Sequence, residues 1–149
     1  MCWSWCPEIK IPQFVEELSA AGCKHGLRDP RPLELNTILK ELRSRPYRAT
    51  FYCRGIRTEV FVPWHPFHHC VLHRSLVRDL EGRRLRIHAA EDLIVFKKIF
   101  DRPKDIGDIK AMLLAQKGKL DLPRLRTDAK SLLTEASSQE LDQLINEFR

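Results

Sequence analysis

The chain has 149 residues, 43% of them hydrophobic and 31% charged, an ordinary globular mix with enough length for its own core. Its formal net charge of +6 permits nucleic acid, nucleotides or an acidic protein as partner and by itself selects none of them. No apolar run approaches the roughly 18 residues of a membrane span and no signal peptide is evident, so a soluble, cytoplasmic protein is expected, with no membrane partner.

Residues 1–6 hold two Trp and two Cys, which suits an edge strand without a partner or a frayed terminus. No second Cys pair follows to complete a zinc set with Cys2 and Cys6. The five cysteines (Cys2, Cys6, Cys23, Cys53, Cys70) are odd in number and irregularly spaced. Reduced thiols are therefore expected in place of a disulfide framework. Pro12 opens a helix with Phe14, Val15 and Leu18 inward and Gly22 as its stop. After a loop over 28–32, residues 33–42 read as a short helix with Leu35, Ile38, Leu39 and Leu42 inward.

Residues 47–53 and 56–62 predict a hairpin about Arg54-Gly55, with Ala49, Phe51 and Cys53 alternating against Arg48, Thr50 and Tyr52. In the second strand Glu59 falls on the face of Phe61, opposite Thr58, Val60 and Val62. A carboxylate there needs a partner, and Arg57 or Arg48 supplies one as an edge-strand ion pair. His65, His68, His69 and His73 follow, with Cys70 among them. His69 and His73 are four apart and share a helical face, as zinc pairs do. Against a metal set of His65, His69 and His73 stand the missing Glu after the first His and the breaks at Pro63 and Pro66. The alternative is a cap and surface histidines below a packing face of Phe67, Val71 and Leu72.

A turn at Glu81-Gly82 leads into a strand over Arg83–Ile87, then a helix from about Ala90. His88-Ala89-Ala90 offers no capping oxygen, a loss of about 1 kcal/mol. Leu93, Phe96 and Phe100 form that helix's apolar stripe, with Lys97 at its edge. Pro103 forbids a smooth continuation. A second helix resumes at about Lys104, with Ile106, Ile109, Met112 and Leu113 inward and Asp105 and Asp108 on one face. Arg102 and Lys104 bracket the bend. Pairing of Arg102 with Asp105 or Asp108 would tie the two helices together, a structural role that competes with a functional one. Asp121 caps a third helix to about Leu133, and Ser137 with Glu140 forms a capping box for a last helix over 139–148. Its Leu141, Leu144, Ile145 and Phe148 lie on one side. This order predicts an α+β fold: a small mixed sheet with a hairpin and flanking helices, then a C-terminal helical tail. One domain over 1–149 is expected, sheet-containing over 1–88 and helical over 89–149.

The run E-D-L-I-V-F-K-x-x-F-D-R-P-K-D-x-x-D-I over 91–109, with G-I-R-T-E-V-F-V-P-W-H-P-F-H over 55–68, resembles bacterial nucleotidyltransferase-like proteins. These include the abortive-infection and type IV toxin–antitoxin nucleotidyltransferases. The likeness covers residues of about 47 to 116 well and the tail more loosely. It implies a nucleotidyltransferase-like fold in which Glu59 stands for the third carboxylate, usually Asp in the family. It also implies Lys97, Arg102 and Lys104 at the nucleotide, Asp105 and Asp108 as catalytic candidates, and Mg²⁺ as cofactor. The implied partners are a nucleotide, and RNA or an antitoxin-like protein.

The family's Gly-rich turn for the triphosphate and its Asp-x-Asp metal motif lie upstream of the matched region. This chain contains no Gly-Gly or Gly-Ser pair and no Asp-x-Asp. The expectation is therefore an N-terminally shortened or degenerate member that lacks two-metal chemistry on its own. The alternatives are a non-catalytic remnant binding nucleotide, RNA or a partner, and a metal-stabilised interaction module built on the histidines.

Overall fold

The computed structural model describes residues 10–26, 28–45 and 47–148. The Trp- and Cys-rich start, including Cys2 and Cys6, lies outside the described residues. The chain divides into two compact units, Met1–His68 and His69–Arg149.

The first unit contains α1 (Ile11–Ala20), β1 (Lys24–His25), α2 (Leu35–Arg43), β2 (Arg48–Cys53) and β3 (Ile56–Phe61). Helix α3 (Pro66–His73) spans the division. The second unit adds β4 (Leu76–Leu80), β5 (Arg83–Ile87), α4 (Ala90–Phe100), α5 (Pro103–Ala115), α6 (Leu122–Leu132) and α7 (Glu135–Phe148). The class is α+β, as the order of sequence patterns predicts. The sheet differs from the single mixed one expected. Among the described residues there are two, a three-stranded β1-β2-β3 and a two-stranded β4-β5, and every strand pair in them is antiparallel. The two hairpin turns explain why. Arg54 and Gly55 have φ of 51° and 81°, and Glu81 and Gly82 have 53° and 77°. Two successive positive φ values match the right-handed twist of the strands they join and fold each strand directly back on its neighbour.

In the first unit the alternation of β2 decides what is buried. Ala49 and Phe51 turn inward, with Val60 and Val62 beside them, against Ile11 and Val15 of α1 and Ile38 and Leu42 of α2. Phe14 meets Phe51 edge-on at 5.9 Å. Complete burial of a side chain such as Phe51 or Ile38 contributes about 1.5–3 kcal/mol.

The expectation of reduced thiols is corrected here, because Cys23 and Cys53 form a disulfide. Their pairing follows from register. Lys24 lies opposite Tyr52, so the preceding residue of one strand meets the following residue of the other. Cysteine number and spacing do not contain that register. Cys70 is free and exposed.

In the second unit, α4 packs on α5 and α6, and α7 packs on α5 and α6. The inward face of α4 is not the stripe of Leu93, Phe96 and Phe100. Glu91, Asp92, Ile94, Val95 and Lys98 are buried instead, whereas Leu93 and Phe100 are exposed. Positions 91, 94, 95 and 98 are also spaced by three and four, so two helical faces competed. The charged one won because each of its charges meets an opposite charge. The cap of the last helix moves too. Thr134 Oγ1 accepts from the Ser137 amide at 3.3 Å, α7 begins at Glu135, and Glu140 is engaged elsewhere. Among the described residues no helix is long and apolar enough to cross a membrane.

Candidate functional site

The joint between α4 and α5 gathers four of the residues that the sequence singles out. Asp101 ends α4 in the left-handed region at φ 51°, and its amide still bonds the Lys97 carbonyl. Arg102 is extended, and Pro103 occupies the first turn of α5, where its missing N–H costs nothing. This reversal sets the last turn of α4 against the first turns of α5.

Asp105 is fully buried at the joint. It accepts from Arg102 Nε at 2.5 Å and Nη2 at 3.2 Å, and from Lys97 Nζ at 3.3 Å. Lys97 Nζ also donates to Asp108 Oδ2 at 2.5 Å. The Arg102 hydrogen bonds are the main cause that holds the Asp105 carboxyl down at about 2, with Lys97 assisting against the opposing effect of burial. The Lys97 ammonium is raised above its ordinary value, chiefly by its bond to Asp108. Arg102 keeps 58% of its side chain exposed, and its guanidinium lies 5.3 Å from the centre of the Phe100 ring. Lys104 is exposed and stands outside the network.

Three further charges of the same run were not assigned a role from sequence, and each has one. Lys98, 2% exposed, bonds Asp101 at 2.8 Å and Glu140 of α7 at 2.6 Å. Burial pulls its pKa down, and these two carboxylates outweigh that and raise it. Glu91 accepts the Asp121 amide at 2.8 Å and pairs with Arg124 at 2.8 Å. Asp92 is fully buried and accepts from Arg74, which also reaches Asp128 at 2.7 Å. Burial lowers the Arg74 pKa, and the two aspartates more than offset it. The Asp92 Oδ2 atom has no hydrogen-bond partner among the described residues. Arg74, Arg124, Asp128 and Glu140 lie outside any local window on this run.

Glu59 belongs to the first unit. It faces Thr50 across the β2–β3 ladder and is paired with Arg57 and, at 3.7 Å, with Arg48. Both arginines named from alternation are present. His65, His69 and His73 do not assemble. His65 Nδ1 accepts from the Phe67 amide at 3.2 Å, and its ring meets Trp64 at 5.6 Å. His69 and His73 are exposed on α3. The helical spacing of the last pair therefore produces no third ligand. Among the described residues no three His, Cys, Asp or Glu side chains gather as a metal set.

Magnesium, implied by the resemblance, calls for open carboxylate oxygens. Both Asp105 oxygens and one of Asp108 are occupied by cations of the chain, and Glu59 is held between two arginines. These residues do not fit a Mg²⁺ site. What the joint does offer is a rim of Arg102 and Lys104 over a neutralised interior. No family model matches the chain, and no curated protein or solved structure matches it.

Proposed function

We propose that the chain is a nucleotidyltransferase-like protein that binds nucleotide through the α4–α5 joint and does not itself transfer it. The resemblance carries the expectation of moving a nucleotide from a nucleoside triphosphate to a hydroxyl acceptor with Mg²⁺, as part of a toxin–antitoxin or phage-defence system. One observation directs the reading to binding alone: Asp105 is buried and closed by Arg102 and Lys97, so it is neither a metal ligand nor a base. Arg102 and Lys104 are exposed at the joint and offer cationic donors to phosphate.

The test is calorimetric titration with ATP, CTP, GTP and UTP, with and without Mg²⁺, beside a labelled-nucleotide transfer assay. Saturable binding independent of Mg²⁺, weakened severalfold by Lys104→Glu, and no transfer are expected. Lys104 is chosen because its replacement leaves Asp105 paired. Mg²⁺-dependent transfer would overturn the non-catalytic part, and absence of binding to all four nucleotides would overturn the site.

A second reading, an antitoxin-like protein partner, is favoured by the β4–β5 hairpin. Every residue of both strands is exposed, and Leu76, Leu80, Leu85 and Ile87 share one face, apolar surface of the kind that marks protein contact. RNA is less suited to it, since the hairpin strands lack an aromatic side chain on which a base would stack. Mobility shift with single-stranded RNA at physiological salt is expected to be negative. A shift abolished by Arg83→Ala with Arg84→Ala would assign the hairpin to RNA instead.

A cytoplasmic location belongs to the same proposal. The Cys23–Cys53 bond bears against it, because such bonds are rare in reducing compartments. Thiol labelling of freshly lysed cells decides the matter, and a fully oxidised pair would sink it.

A further inference from the structure

A second basic feature lies in the first unit and shares no residue with the α4–α5 joint. An open cavity of about 380 Å³ is lined by Lys40, Glu41, Ser44 and Arg45 at the end of α2 and by Arg48 and Thr50 of β2, with Gly26 at its edge. Gly26 has φ +126°, and a Cβ there would come within 2.9 Å of the Asp29 carbonyl oxygen. Only glycine therefore carries the chain past this wall.

The charges around this cavity do not cancel. Glu41 is committed to His25, whose Nε2 lies 2.9 Å from its Oε2. Among the described residues Arg48 has only the 3.7 Å contact to Glu59, and Glu59 is shared with Arg57. Lys40 and Arg45 have no carboxylate partner among the described residues. Three cations thus line one concavity with a single, already engaged carboxylate. Thr50 of β2 is 6% exposed and presents its hydroxyl-bearing side chain in the cavity wall.

A purely structural role accounts for part of this set. Lys40 sits in the last turn of α2, where a cation offsets the negative end of the helix dipole. That dipole does not explain Arg48, which is on a strand and lines the same cavity. The volume is at the small end of ligand sites, roughly 300–1,000 Å³, but the lining is cationic and not apolar. Forked guanidinium groups, an ammonium and a hydroxyl donor converging from two elements match the several oxygens of a phosphate group.

We infer that this cavity binds a small phosphorylated ligand carrying two or more negative charges, held by Lys40, Arg45 and Arg48 with the Thr50 hydroxyl donating. The site is independent of nucleotide binding at the joint, since no residue is shared.

The probe is inorganic pyrophosphate, titrated calorimetrically into the full chain at low salt. Saturable binding is expected, weakened at least tenfold in Lys40→Ala with Arg45→Ala and unchanged in Lys104→Glu. Both replaced side chains are on the surface, so far-UV circular dichroism of the double variant should match that of the parent. If it does not, Thr50→Val and Lys40→Gln are read singly, each with a severalfold loss expected. Raising ionic strength should weaken binding steeply, as it does for exposed charges. Affinity unchanged by the double variant, or no saturable heat with the parent protein, would overturn the inference. Loss of pyrophosphate binding in Lys104→Glu alone would move the phosphate site to the joint and overturn it equally.

Discussion

Lys98 and Glu140, forty-two positions apart in the chain, are joined by a 2.6 Å bond from Nζ to Oε2. The bond fastens α4 to α7. Lys98 is almost wholly enclosed while Glu140 is 59% exposed, so the cation is the member that depends on the pair. Breaking a buried pair from the partner's side leaves an uncompensated charge, whereas replacing the charge by an apolar side chain of similar length does not. Glu140→Ala is expected to cost roughly 1.5–3 kcal/mol, as for a hydrogen bond to a charged group. Asp101→Ala with Glu140→Ala should cost roughly 3–5 kcal/mol. Lys98→Met should be near neutral. Urea unfolding of the three variants checks this, and a severe loss in Lys98→Met would show that the cation itself carries the stability.

This pair also shows where the sequence could be read and where it could not. The β2–β3 hairpin, the Pro103 break and the inward faces of α1, α2, α5 and α7 are periodicity and turn chemistry, and they are present in the local pattern; of the β4–β5 hairpin only the turn and β5 are read, since the exposed Leu76–Leu80 has no buried face to mark it. Helix α4 is the failure. Its Leu93, Phe96 and Phe100 form a legitimate apolar stripe, yet the buried face carries Glu91, Asp92 and Lys98. Their burial depends on Arg74, Arg124 and Glu140, which no local window contains. The same holds for Cys23 and Cys53, matched by strand register and not by spacing. In the joint, Lys97, Arg102, Asp105 and Asp108 were legible as a cluster. That Asp105 would be its buried centre was not, because three-residue spacing places Asp105 and Asp108 on one face without ranking them.

Asp105 should make the protein acid-labile in a defined window. Its carboxyl is held at about 2 by Arg102 and Lys97 against an ordinary 3.8. A depressed folded-state pKa contributes stability that is full above the unfolded value and is lost as pH falls through the folded one. Stability should therefore decline from about pH 4 towards pH 2. Asp105→Asn should flatten that part of the profile while lowering stability at neutral pH. Urea midpoints across pH 2–5 for both proteins are the measurement. Parallel curves would mean that Asp105 is not the titrating group.

Lys97 predicts the opposite limb. Its pKa is raised, chiefly by the hydrogen bond to Asp108. The stabilisation it contributes is complete below the unfolded value and is lost as pH rises through the higher folded value. Asp108→Asn should lower stability at neutral pH, where the Lys97 contribution is complete, and end the alkaline decline at lower pH. An alkaline limb identical in the two proteins would remove the Lys97–Asp108 bond from the account.

Arg74 holds the most demanding carboxylate in the second unit. Asp92 is fully buried, and Arg74 bridges it to Asp128. Removing the guanidinium strands Asp92 in the interior, a loss of roughly 3–5 kcal/mol. Arg74→Ala should therefore unfold far more readily than Asp128→Ala, which leaves Asp92 paired. Arg74→Met with Asp92→Leu should recover much of the difference, because apolar groups then fill the volume of the pair. Thermal melts of the four proteins give the order directly, and equal losses in the two single variants would refute it.

The Cys23–Cys53 bond closes a loop of 30 residues and ties the end of α1 to the far end of β2. In the chain-entropy account a loop of that length restricts the unfolded ensemble by about 3.5 kcal/mol. Strand β1 has only two residues, too few to hold its place by ladder hydrogen bonds alone. Reduction should therefore act on the first unit, freeing β1 before the core of Ile38, Ala49 and Phe51 gives way. Hydrogen exchange under reducing conditions is expected to show faster exchange at His25 and Gly26, whose amides bond Arg31 and Thr50. Protection in α5 and α7 should be unchanged. Cys23→Ser with Cys53→Ser should reproduce the reduced protein, with a urea midpoint that no longer responds to reductant. A wild-type midpoint insensitive to reductant would mean that the bond contributes nothing to holding the first unit together.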